Sequence, residues 1–134
     1  MSQENVEIVR SVFGAWERGD YRSAEWAHPE ITFVVADGPT PGTWTGVAGM
    51  ADAWREALSA FEELRPEADD YQALDDERVL VLMHLSGRGK TSGLEVGDIQ
   101  MKGANLFHVR HGMVTKLVLY WDRDHALPDV RPGK

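Results

Sequence analysis

Val9, Val12, Phe13 and Trp16 recur at i, i+3, i+4 and i+7, with Val6 one turn earlier, while Glu7, Arg10, Glu17 and Arg18 fall mostly on other faces. This spacing predicts an amphipathic helix that stops at Gly19. Asp20 offers an N-cap for a short second helix over about 21–27. His28-Pro29 closes that helix, because the residue before a proline is pushed out of the helical region. The β-branched and aromatic run ITFVV predicts a strand over 31–35. Asp37 to Gly46 holds two prolines and three glycines and reads as a loop. Met50, Trp54, Ala57, Leu58 and Phe61 then share one stripe of a third helix. Beyond Pro66 the pattern turns to strands, over about 68–74, 78–88, 96–110 and 113–122. Turns are expected at Asp75-Asp76-Glu77, around Thr91-Ser92-Gly93, and at His111-Gly112. Short connections between successive strands imply an antiparallel meander. Helices segregated to one face of such a sheet make an α+β fold.

A chain of 134 residues is one domain by length, placed at 1–127, with the proline- and glycine-bearing segment 128–134 as a loose tail. Fourteen basic against twenty-two acidic residues give a net charge of −8, which repels phosphate backbones and anionic membranes. No nucleic-acid or membrane partner is expected. The absence of cysteine removes disulfides, thiolate metal sites and cysteine nucleophiles. No secretory signal or spanning apolar run is visible, so a cytoplasmic location is expected. His108, His111 and His125 form no metal-ligand pairing, and Gly87-Arg88-Gly89-Lys90 lacks the spacing of a phosphate loop. Neither a metal nor another cofactor is expected.

Several local sequences in this order resemble the SnoaL-like group of the nuclear-transport-factor-2-like superfamily. They are FGAWERGD at 13–20, HPEITFVV at 28–35, TWTG at 43–46, DDERVLVLMHLSG at 75–87 and ANLFHVRHGMVTKLVLYWDRDHAL at 104–127. The resemblance covers nearly the whole chain. It implies a cone-shaped, curved antiparallel sheet wrapped around helices and enclosing an apolar pocket for a small apolar molecule.

By similarity to the ketosteroid isomerases of that superfamily, Trp121 points into the pocket, and Leu117 and Leu119 with it. By similarity to its limonene epoxide hydrolases, His84 and Ser86 point inward as well. Met101, Gly103, Asn105 and Phe107 share one phase, assigned inward, as are Phe33 and Val35, with Asp37 near the rim. Val12, Trp16, Trp54 and Leu58 supply the lid. The catalytic sets of both enzymes are missing, since the positions carrying them read Val12 and Gly103 for the isomerase donors and Ser86, His84 and Leu119 for the hydrolase. His84 is therefore the candidate acid/base for cyclase-type chemistry, with Asp37 as the candidate second catalytic group. Trp16, Phe33, Val35, Trp54, Ser86, Met101, Asn105, Leu119 and Trp121 are candidate substrate-binding residues.

Structural alternatives stand beside these roles: a core histidine satisfied by a neighbour, a turn-forming Asp37, and tryptophans as core. Two functional readings follow. One is a cyclase-, isomerase- or hydrolase-type enzyme acting on a small apolar carbonyl compound. The other is a non-catalytic domain that binds a hydrophobic ligand or partner. A homodimer is expected through the opposite sheet face, where Val81, Met83, Leu85, Ala104, Leu106, His108, Val118 and Tyr120 are assigned to an apolar patch. A terminal segment folding back over that patch is the competing arrangement.

Overall fold

The structure is a computed structural model that describes residues 2–18, 25–37, 41–59, 65–87, 99–124 and 126. Its elements are α1 (Ser2–Glu17), β1 (Ala27–Val35), β2 (Gly42–Thr45), α2 (Gly46–Ser59), β3 (Arg65–Ala73), β4 (Arg78–Gly87), β5 (Ile99–Arg110) and β6 (Met113–Tyr120). The strands form one curved, unclosed sheet in the order β2-β1-β6-β5-β4-β3. From β3 to β6 the chain is an antiparallel meander, as the short turns demand. β1 alone departs from it, lying parallel to β6. This is the expected α+β architecture.

Two local expectations change. The glycine- and proline-rich stretch after Asp37 contains β2, an edge strand in which Trp44 pairs with Phe33 of β1, their rings 5.9 Å apart. Aromatic and β-branched residues in Thr43-Trp44-Thr45 outweigh the flanking breakers once an edge is available to pair with. Ala27 opens β1 rather than ending a helix, and His28 and Pro29 lie inside that strand. Residues 19–24, which carry most of the expected second helix, lie outside the described residues, as do 127–134.

The helices cover one sheet face. Val9, Val12, Phe13 and Trp16 of α1 and Met50 and Ala53 of α2 pack in one cluster with Ile31, Phe33, Val79, Val81, Met83, Phe107, Val109, Val114 and Leu117. This is the inner face. A second cluster on the outer face holds Leu80, Ala104, Leu106, Val118 and Tyr120 together with Ala126. The expected outer patch is therefore corrected in β4, where Val81 and Met83 face inward and Leu80 and Leu82 face outward. Leu106 and Tyr120 are 3% and 4% exposed within the single chain, and Ala126 packs with them. Leu106 and Tyr120 are thus buried before any second chain is added.

Two glycines have structural reasons. His111 and Gly112 both have positive φ, 52° and 78°, the backbone that a two-residue hairpin turn between twisted strands requires. Gly103 sits where β5 meets the end of β6, and a Cβ there would stand 2.5 Å from the Tyr120 carbonyl oxygen.

Candidate functional site

Strand register lays two rows of residues across the inner face. One row runs Trp44, Phe33, Leu117, Phe107 and Val79, from β2 to β4. The next runs Gly42, Val35, Leu119, Asn105, Val81 and Tyr71, across all six strands. The first row is packed solid, with Phe33, Leu117, Phe107 and Val79 at most 1% exposed. Trp16 stacks on Phe107 with centroids 5.8 Å apart. Trp54 lies 5.1 Å from Trp16 and 5.6 Å from Phe33. Trp16 and Phe33 are thus core residues as well as walls.

The second row is looser. Val35 and Leu119 are half-buried, as are the flanking Trp44 and Trp54. Among these apolar groups stands Asn105, 4% exposed. No hydrogen bond reaches its side-chain amide among the described residues. Leaving a buried amide unpaired costs about 1–3 kcal/mol, and such a group in a folded protein calls for a reason. The other buried polar side chain among the described residues, Asn5, shows the ordinary solution, donating from Nδ2 to the Asp76 carbonyl at 2.7 Å.

Tyr71 packs against the inner cluster. Burial pushes its phenol above the usual range, with the Glu17 charge adding and Arg10 opposing. Tyr71 lies two strands from Asn105, about 10 Å backbone to backbone at the usual strand spacing, and no hydrogen bond joins their side chains.

His84 is on the other side of the sheet. Its cross-strand partner is Lys102, whereas the inner residue Val81 pairs with Asn105 and Met83 with Gly103. The inward assignment of His84 is therefore corrected, and with it the in-phase position of Ser86, whose side chain is outside the described residues. Both phases of β4 are apolar, Val79-Val81-Met83 and Leu80-Leu82, so alternation alone does not orient that strand. On the outer face His84 joins a polar chain. Its Nδ1 is 2.8 Å from Asp69 Oδ1, and its Nε2 is 3.7 Å from Glu67. Arg123 donates from Nη2 to Asp69 Oδ2 at 2.8 Å and to the Met83 carbonyl at 2.9 Å, and from Nε to the Gly103 carbonyl at 3.3 Å. The Arg123 hydrogen bond, helped by His84 and opposed by partial burial, holds the Asp69 carboxyl below its usual range. A bulge between Ala68 and Asp70 turns Asp69 toward this chain. Nothing in the local sequence marks it.

The Asp37 carboxylate is held at the turn after β6. Its Oδ1 accepts from the Trp121 backbone N–H at 2.6 Å and its Oδ2 from that of Asp122 at 3.1 Å. Both oxygens thus fix the turn after β6. Trp121 lies in that turn, one residue beyond the strand. Met101 occupies the inner phase of β5, with its side chain outside the described residues, as is that of Leu58. No metal-binding group of three or more histidines and acids occurs among the described residues. A groove of about 670 Å³ runs along α1, floored by Ile8, Val12, Ala15, Trp16 and Trp26. Its polar groups are exposed, so it lacks the buried unpaired amide that marks the sheet.

The sequence profile of the SnoaL-like domain matches residues 9–117. The chain belongs to this family. That span takes in the second half of α1, all of β1 to β5, and β6 as far as Leu117. No curated protein sequence matches this SnoaL-like chain. Solved structures do. TerC, co-crystallised with polyporic acid, superposes with a TM-score of 0.75 at 17% identity, covering 95% of this chain and 97% of TerC. A protein from Xanthomonas campestris, provisionally described as a polyketide cyclase, gives 0.72 at 20% identity, covering 96% and 98%. A nuclear-transport-factor-2-like protein from Burkholderia xenovorans gives 0.69 at 26% identity, covering 98% of both chains. No helix among the described residues is long and apolar enough to cross a membrane.

Proposed function

We propose that this SnoaL-like domain binds a small, mostly apolar, uncharged molecule against the Val35–Leu119–Asn105 row, with Asn105 as its polar anchor. One observation carries this reading: a side-chain amide 4% exposed, without a protein hydrogen bond, beside apolar groups that are only half-buried. Apolar sites with a few placed polar groups are the usual form of small-molecule pockets. The co-crystal of TerC with polyporic acid and the provisional cyclase description of the Xanthomonas relative support a small organic ligand. Any chemistry on that ligand would draw on confinement and on N–H donation from Asn105 to a developing oxyanion. Proton transfer by His84 is not favoured, because that residue lies across the sheet.

The test is a titration of isotope-labelled protein with small aromatic carbonyl compounds, followed by NMR. The reading expects shifts in the Asn105 side-chain amide, Leu119, Val35 and the Trp54 indole. Shifts centred on His84 and Asp69, or none at all, would overturn it.

A further inference from the structure

Resting on the reading of Asn105 as a ligand anchor, we infer that the ligand presents a hydrogen-bond donor and an acceptor side by side on one planar edge. A lactam, with N–H next to C=O, is the simplest such group. The inference begins with what surrounds the amide. Asn105 is flanked across the sheet by Val81 and Leu119. Along its own strand the neighbouring inner positions are Gly103, which has no side chain, and Phe107, which is fully buried in the packed row. None of these side chains can accept from Nδ2 or donate to Oδ1.

A primary amide carries an acceptor and donors on adjacent atoms. A ligand with a carbonyl alone pairs with Nδ2–H and leaves Oδ1 buried and unmatched. A ligand with a donor alone leaves Nδ2–H unmatched. A cis donor–acceptor edge satisfies both atoms at once through two parallel hydrogen bonds. None of the side chains flanking Asn105 is charged, so an ionised ligand at the amide would lose its hydration without a partner charge beside it. The half-buried Trp54 indole beside the row favours a flat, unsaturated body.

Three matched probes test this on the full chain by titration calorimetry. Quinolin-2(1H)-one has the lactam edge, coumarin replaces its N–H by an oxygen, and N-methylquinolin-2-one blocks the donor. The lactam is expected to bind at least tenfold more tightly than either analogue. In Asn105→Leu that preference collapses to within about twofold. If the variant does not fold, the wild-type ratio decides alone. Equal binding of all three by the wild-type chain overturns the inference while leaving the apolar site intact. A lactam preference that survives in a folded Asn105→Leu also overturns it. Failure of every probe to bind overturns the site reading along with the inference.

Discussion

Replacing Asn105 by Leu should make the protein more stable. In most proteins, removing a buried polar side chain breaks hydrogen bonds and costs stability. Here the amide is 4% exposed and has no hydrogen-bond partner among the described residues. A leucine has the same branching, and its larger methyl groups would pack against Val81 and Leu119, its neighbours in the looser row. Relief of the unpaired amide is worth about 1–3 kcal/mol. For a chain of this length each kcal/mol moves the melting temperature by about 3–4 °C. The expected gain is then about 3–12 °C in Tm, read by circular dichroism. Urea unfolding should show a higher midpoint at unchanged slope, which assigns the gain to stability and not to denatured-state compactness. A lower Tm at unchanged slope would refute the reasoning, because it would mean that Asn105 makes a bond the fold depends on. A gain in stability combined with lost lactam binding would be the trade expected of a residue kept for its ligand.

Three further outcomes follow from the geometry. Gly103→Ala should destabilise by about 1–3 kcal/mol, since its Cβ would meet the backbone oxygen of Tyr120 and not a flexible side chain; chemical denaturation checks this. The Asp69 carboxyl has a lowered folded-state pKa, so its contribution is present at neutral pH and lost as pH falls through the folded value. Asp69→Asn should accordingly flatten the acid limb of the stability profile by less than about 1 kcal/mol, the pair being solvent-screened. His84→Gln should leave probe affinity unchanged in calorimetry while lowering stability slightly, and a lost affinity would place His84 back in the binding machinery.

Most of the fold is legible in the chain. The α1 stripe from Val9 to Trp16, the β-branched run of β1 and the His111-Gly112 turn each follow from local chemistry. What escaped was decided by tertiary pairing. β2 exists because β1 offers an edge to Thr43-Trp44-Thr45. The orientation of β4 is hidden because both of its faces are covered, one by the helices and one by the cluster with Ala126. An apolar-on-both-sides strand carries no alternation signal. Lys102 marks the outer phase of β5, and its pairing with His84 would have fixed β4 had the register been known. The inner phase of β5 is legible in the chain, and Asn105 stands out in it as the polar position. Its lack of a partner is a property of the packed neighbourhood, which spacing cannot reveal. The Asp69 bulge and the reach of Arg123 to three strands likewise depend on register shifts that leave no trace in composition.

The parallel pairing of β1 with β6 bears on how the protein comes into being on a ribosome. β1 emerges early, and its main-chain partner on that side is the last of the described strands to be made. Until Met113 to Tyr120 clear the exit tunnel, β1 and β2 form a two-stranded ribbon with one edge unmatched, an arrangement that is marginal by itself in water. The meander of β3 to β6 has local contacts and is able to assemble first, with β1 and the helices docking afterwards onto its β6 edge. During that interval Ile31, Phe33 and Val35 lack half of their eventual neighbours. A nascent chain halted before Met113 is therefore a species prone to associate through β1, and a pause in translation there would be felt as aggregation rather than as lost activity.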